Sequence, residues 1–411
     1  MASQKRKAKG ATRQGPSRRS LVSVLLITVL ISIGGSVYLA RSMDRVTRPV
    51  YEEVHPVPSD LNQEIARIDE AIYETFYQEG IPETDILFVE VRHRYENGRD
   101  WEFTDIVVRV RDKRSLDDLE RVMSGAISSL APAVRYVREV TPRGESMCDV
   151  FALGHHSHRI TIAGRVPETK PGPKGLPKIA IIIDDVGYDV ETARSFLRLD
   201  IPLTLSILPS SPHAVLIAKE AHENGRELIL HLPMEPKGYP KLKPGPGAVL
   251  VGMPGETISG IMDDHLKRFP QVRGVNNHMG SRFTEIEEGM AVVFAELRKR
   301  GLFYVDSRTT HRTVAPMLGR KMGVPVAARG VFLDNDLSSK AMRFQTERLL
   351  GMARHAGHGI GIGHPHRETL RCLRDSLKRI KREAQVVPVS EIVHLANGDD
   401  VLNAGRDKGE R

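Results

Sequence analysis

Residues 178–187 read Lys-Ile-Ala-Ile-Ile-Ile-Asp-Asp-Val-Gly. Three consecutive isoleucines, in an apolar run too short to span a membrane, predict a strand buried on both faces, the kind found in a parallel sheet. Asp184 and Asp185 then fall at the carboxyl end of that strand, which is where barrels and open α/β sheets do their chemistry. Gly187 allows a sharp turn toward the helix that Tyr188 to Leu199 predicts. On its own an Asp-Asp pair reads first as one helix cap and one solvated neighbour. The rest of the chain decides between the two.

From Lys178 onward short apolar strands alternate with polar punctuation and helices of ten or more residues, the pattern of βα units and a parallel sheet. Strands are expected near 178–184, 203–208, 227–231, 272–276, 302–306, 325–332 and 358–363. About seven such units in roughly 220 residues suit a (β/α) barrel. The strand ends carry the chemistry. Four later strands finish on His231, His278, Asp306 and His364, joining Asp184 and Asp185. With histidine at only 16 of 411 positions, three at the mouths of separate strands point to a site. Carboxylates and imidazoles converging on one face suit one divalent cation with a position open to water. Zinc is the first expectation, with cobalt, nickel or manganese as alternatives.

The formal charge of +8 does not mark a nucleic-acid protein, because Lys5, Arg6, Lys7, Lys9, Arg13, Arg18 and Arg19 crowd into the first twenty residues and leave the body near neutrality. No basic stripe interleaved with aromatics accompanies them, so nucleic acid is not an expected partner. Leu21 to Ala40 is free of charge and as a helix would span about 30 Å, the thickness of a bilayer core. The basic flank upstream places the N-terminus in the cytoplasm and the rest of the chain across the membrane, periplasmic or extracellular. Bulky Tyr38 at −3 from Ala40 argues for an uncleaved anchor rather than a signal peptide. Cys148 and Cys372 are the only cysteines, too few for a disulfide framework or a cysteine zinc site.

The organisation expected is a basic cytoplasmic tail at 1–20, a transmembrane anchor at 21–40, a stalk at 41–60, a small α+β domain at 61–165, a linker at 166–177, the barrel at 178–396 and a polar tail at 397–411. In the small domain Leu61, Ile65, Ile68, Ile72 and Phe76 have helical spacing. A hairpin is expected about Glu96-Asn97-Gly98-Arg99, a second helix at 114–130, and short strands at 134–140 and 160–163. His155, His156 and His158 lie in Gly-His-His-Ser-His-Arg; without an accompanying carboxylate or cysteine they read as a polar hairpin tip rather than a metal site. The Pro-Gly linker is expected to separate two cores.

Five stretches in order, Ile-Asp-Asp-Val-Gly, Leu-His-Leu-Pro-Met-Glu-Pro, Asn-Asn-His-Met-Gly-Ser-Arg-Phe-Thr, Tyr-Val-Asp-Ser-Arg-Thr and Gly-His-Pro-His, resemble the divergent polysaccharide deacetylases. The resemblance covers about residues 178–396. It implies a distorted (β/α) barrel that removes acetyl groups from N- or O-acetylated sugars by metal-assisted hydrolysis. It makes Asp184 the general base, Asp185 a metal ligand and His364 the general acid. The superfamily's second motif is His-x-x-x-His with both histidines on the metal, whereas here it reads His231-Leu-Pro-Met-Glu235. His278 is the expected replacement and Glu235 the alternative.

The expected function is therefore a metal-dependent hydrolase acting on an acetylated glycan of the envelope or extracellular space. A glycan-binding scaffold and another metal hydrolase, such as a phosphoesterase, are the competing readings. For the last of these Arg282 and Arg308 are candidates for a phosphate clamp, though each is as easily a residue that orients a site carboxylate.

Overall fold

The computed structural model describes residues 60–82, 85–96, 99–142, 144–164 and 175–397. The expected anchor at 21–40, the tail before it, nearly all of the stalk, most of the linker and the tail after 397 lie outside them. Among the described residues no helix is long and apolar enough to cross a membrane.

The small α+β unit begins with helix Asp60–Gln78, whose Leu61, Ile65, Ile68, Ile72 and Phe76 are all buried, as their spacing predicts. Strands β1 (Ile86–Glu96) and β2 (Arg99–Arg109) form the expected antiparallel hairpin. Helix Lys113–Ser128 follows, with Asp112 as its cap accepting from Ser115 N at 2.8 Å. Strands β3 (Val134–Val140), β4 (Ser146–Ala152) and β5 (His155–Ala163) complete a sheet of order β1-β2-β5-β4-β3. β4 was not expected, because its buried positions include the small or polar Ser146, Cys148 and Ala152 and give a weak alternating signal.

The histidine-rich segment is not a hairpin tip. The turn falls at Leu153-Gly154, both left-handed at φ 45° and 84°, and the three histidines open β5. His158 is fully buried with Nε2 3.0 Å from Asp69 Oδ1, while His156 Nε2 lies 2.8 Å from Asp149 Oδ1. His156 meets the carboxylate of the neighbouring strand β4 and His158 that of the first helix, 89 residues away, so the two do not converge on one point.

The larger unit is built on β6 (Lys178–Val186), β7 (Thr204–Ile207), β8 (Glu227–Met234), β9 (Gly274–Met279), β10 (Phe303–Asp306), β11 (Val326–Ala328), β12 (Val331–Phe332), β13 (His358–Gly363) and β14 (Gln385–Val386). All their pairings are parallel. The order is β11-β10-β9-β8-β7-β6-β13-β12, with β14 also on β6. The isoleucine run is buried on both sides as expected: Ile179, Ile181 and Ile183 pack toward the helices, whereas Ala180 and Ile182 pack inside the curl with Ile229, Val305 and Ile362.

The single strand expected at 325–332 is instead two segments on opposite edges of the sheet. β11 pairs with β10 and β12 with β13. Between them Arg329 N reaches the Asp306 carbonyl at 2.9 Å and Gly330 N the Ile360 carbonyl at 2.8 Å. The sheet therefore curls until its two edges are successive pieces of one stretch of chain, which is how the barrel is distorted.

The two cores expected to be separate share a helix. In Ser339–Ala356, Leu349, Leu350 and Ala353 belong to the larger core, while Phe344 packs in the smaller one with its ring 5.6 Å from that of Tyr73.

Candidate metal centre

Regular strands send successive side chains to opposite faces. Asp184 and Asp185 escape that rule because Asp185 takes φ 53° and the β6–β7 register shifts between Ile183 and Val186. Both carboxylates are thereby fully buried in one site. Non-glycine residues with positive φ are costly, by about 1–3 kcal/mol each, and persist where function holds them. Met279 and Arg308, at φ 55° and 52°, mark the ends of β9 and β10 in the same way. Gly187 is required where it stands: at φ 147° a Cβ would lie 1.7 Å from Ser211 Oγ. Neither aspartate caps the next helix, since Asp189 does so, accepting from Glu191 N and Thr192 N.

Asp185, His231 and His278 converge. Three of their ligand atoms lie within 4.8 Å of one another, with His231 Nε2 3.1 Å and His278 Nδ1 2.9 Å from Asp185 Oδ1. Despite these separations His231 Nε2, His278 Nδ1 and both Asp185 oxygens are buried without a hydrogen bond. Buried polar atoms are rarely left so. A cation shared by these atoms would account for it, and the set of one carboxylate and two imidazoles fits zinc. Burial tends to raise the Asp185 pKa, but the His278 and His231 imidazoles hold it well below the carboxylate range.

Asn276, on β9, organises this group and was not singled out in the sequence. Its Nδ2 donates to both Asp184 oxygens, at 2.8 and 3.0 Å, which leaves Oδ1 to accept from His231 Nδ1 at 2.8 Å and from Ser206 Oγ at 2.7 Å. With Nδ1 as donor, His231 presents Nε2 to the centre. Burial raises the Asp184 pKa, the pull of His231, His364 and Asn276 notwithstanding.

His364 follows β13 and is held by Asp334, also missed in the sequence. Asp334 Oδ1 lies 2.9 Å from His364 Nδ1, and its Oδ2 accepts from His364 N and Thr369 Oγ1, both at 2.6 Å.

Glu235 is not among the converging atoms. Its Oε1 pairs with Arg282 at 2.9 Å and its Oε2 accepts from Val251 N at 2.8 Å, so it fastens the loop after β8. That pairing turns Arg282 toward a carboxylate of the protein itself. Asp306 is buried but is not among the converging atoms: its Oδ1 accepts from Arg308 N at 2.9 Å, closing the turn after β10, and burial raises its pKa. Both cysteines are buried and free.

The sequence profile of the divergent polysaccharide deacetylases matches residues 181–393. The chain is also 34% identical over 217 residues to the uncharacterised protein YibQ of Escherichia coli K12, covering 53% of this chain and 67% of that one. The chain belongs to the divergent polysaccharide deacetylase family. An uncharacterised Haemophilus influenzae Rd protein is 29% identical over 215 residues, 52% of this chain and 76% of its own. Among solved structures, an uncharacterised protein of Agrobacterium tumefaciens C58 aligns with TM-score 0.49 and 24% identity over 55% of this chain and 92% of that one. The Bc1960 peptidoglycan N-acetylglucosamine deacetylase aligns with TM-score 0.35 and 12% identity, over 54% and 89%.

Proposed function

We propose that this member of the family is a metal-dependent deacetylase acting on an N- or O-acetylated envelope or extracellular polysaccharide. The observation that carries the reading is the buried convergence of Asp185, His231 and His278 without hydrogen bonds among them. A divalent cation held by those three residues, zinc first, supplies Lewis acidity toward the acetyl carbonyl and toward water. Asp184, raised by burial and fixed by Asn276, takes the proton from the attacking water. His364, steadied by Asp334, gives a proton to the departing amine or alkoxide. The products are acetate and the free sugar amine or hydroxyl.

The basic flank and apolar run at 21–40 support a chain anchored in the membrane with the barrel on the far side. A C-terminal reporter active only in the cytoplasm would contradict that placement. The enzyme reading is tested by metal analysis of the purified protein, together with acetate release from acetylated chito-oligosaccharides and acetylated xylan. Stoichiometric metal with release supports it. Absence of metal after incubation with zinc, cobalt or nickel, with glycan still bound, would leave a scaffold instead.

A further inference from the structure

Arg329 fills the break between β11 and β12 and is only 4% exposed. Its Nε donates to the Ser307 carbonyl at 2.8 Å and its Nη2 to the Arg308 carbonyl at 3.2 Å. Ser307 lies one contact from the centre: its N–H donates to Asn277 Oδ1 at 3.0 Å, and its hydroxyl is 3.3 Å from the Asn276 Nδ2 that holds Asp184. On its other side the Arg329 guanidinium lies 3.8 Å over the Phe332 ring, and that ring stacks on His364 with centroids 6.0 Å apart and planes 27° from parallel. One buried cation thus braces both the loop beside the base and the ring beside the acid.

A guanidinium this deep needs a counter-charge, and part of it comes from outside the barrel. Glu102 on β2 of the small unit places Oε1 3.6 Å from Arg329 Nη1 and Oε2 2.8 Å from Nη2 of the buried Arg348. We propose that the small α+β unit is part of the catalytic apparatus, with Glu102 and Arg329 as positioning residues that hold the loop after β10 and the Phe332–His364 stack in register. Planar donation to two carbonyls while stacked on an aromatic ring is work for arginine that lysine cannot do.

The test compares Glu102→Gln and Arg329→Lys with Lys340→Gln. The last removes a surface tie between the same two units, Lys340 to Glu70 and Glu74, without touching Arg329. Amide hydrogen exchange of the full chain should accelerate at 307–314 and 331–334 in the first two variants and not in the third, with zinc binding unchanged. The catalytic arm rests on the deacetylase reading: acetate release should fall about ten- to a hundredfold in kcat at constant KM, and the double variant should be no worse than Arg329→Lys alone. Should Glu102→Gln not fold, Glu102→Asp, which keeps the charge and shortens the reach, carries the same measurements. Faster exchange confined to β2 and helix 339–356, or equal behaviour of the Glu102 and Lys340 variants, would reduce Glu102 to a docking contact and overturn the proposal. Because exchange needs no substrate, that outcome is independent of whether acetate is released.

Discussion

Asn276 donates to both carboxylate oxygens of Asp184, at 2.8 and 3.0 Å, while its own oxygen receives His231 Nδ1 at 2.8 Å. One amide therefore sets the direction of the proposed base and the tautomer of a proposed metal ligand. Asn276→Ala should weaken zinc binding about 10- to 100-fold, the usual cost of losing such an outer partner, and should lower kcat as well. Competition with a chromophoric chelator measures the first effect and acetate release the second. Zinc affinity equal to the parent's would contradict the assignment.

Ligands and proton-transfer groups should separate on substitution. Asp185→Asn, His231→Ala and His278→Ala should each lose the ion. Asp184→Asn and His364→Ala should keep it, the latter losing about 10² to 10⁴ in rate. Glu235→Ala should also keep the ion, because both of its oxygens are already engaged by Arg282 and Val251. Metal content of the six purified variants decides the matter, and loss of zinc in Glu235→Ala would reinstate it as the third ligand.

Metal uptake should release a proton near neutral pH. Burial disfavours the charged form of His231, yet Asp184 and Asp185 outweigh it and push its pKa up to about 9. A ligand imidazole must be neutral at the coordinating nitrogen. Zinc affinity should accordingly rise with pH through neutrality and level off above about 9. Calorimetric titrations at pH 7 in buffers of different ionisation enthalpy should show the proton; identical heats would refute it.

Leu153 sits at φ 45° beside Gly154 in the two-residue β4–β5 turn, a place suited to Asn-Gly. Leu153→Asn or Leu153→Gly should stabilise the protein by about 0.5–1 kcal/mol by removing left-handed strain from a half-exposed leucine. Thermal unfolding gives the sign, and a lowered midpoint in both variants would show that the leucine side chain matters more than its backbone.

The sequence by itself determined what depends on local pattern. The apolar run at 179–183 had to be a strand buried on both sides, helix 60–78 followed from its spacing, and the apolar runs leading into His231, His278 and His364 announced those histidines, although β8 continues past His231 to Met234. Those signals repeat within a few residues, so one chain suffices to read them. Partners set by register across the sheet could not be read this way. Asn276 meets Asp184 across 92 residues, and Asp334 meets His364 across 30. Asp185 faces its neighbour's side only because a left-handed backbone breaks the alternation. The same holds for His156 and His158, whose carboxylates come from β4 and from helix 60–78. Arg329 looked like the middle of a strand. Tertiary structure made it the joint between two sheet edges, because closing the curl requires the chain to leave β10 for β13, and the buried charge at that joint had to be met by Glu102 from another unit.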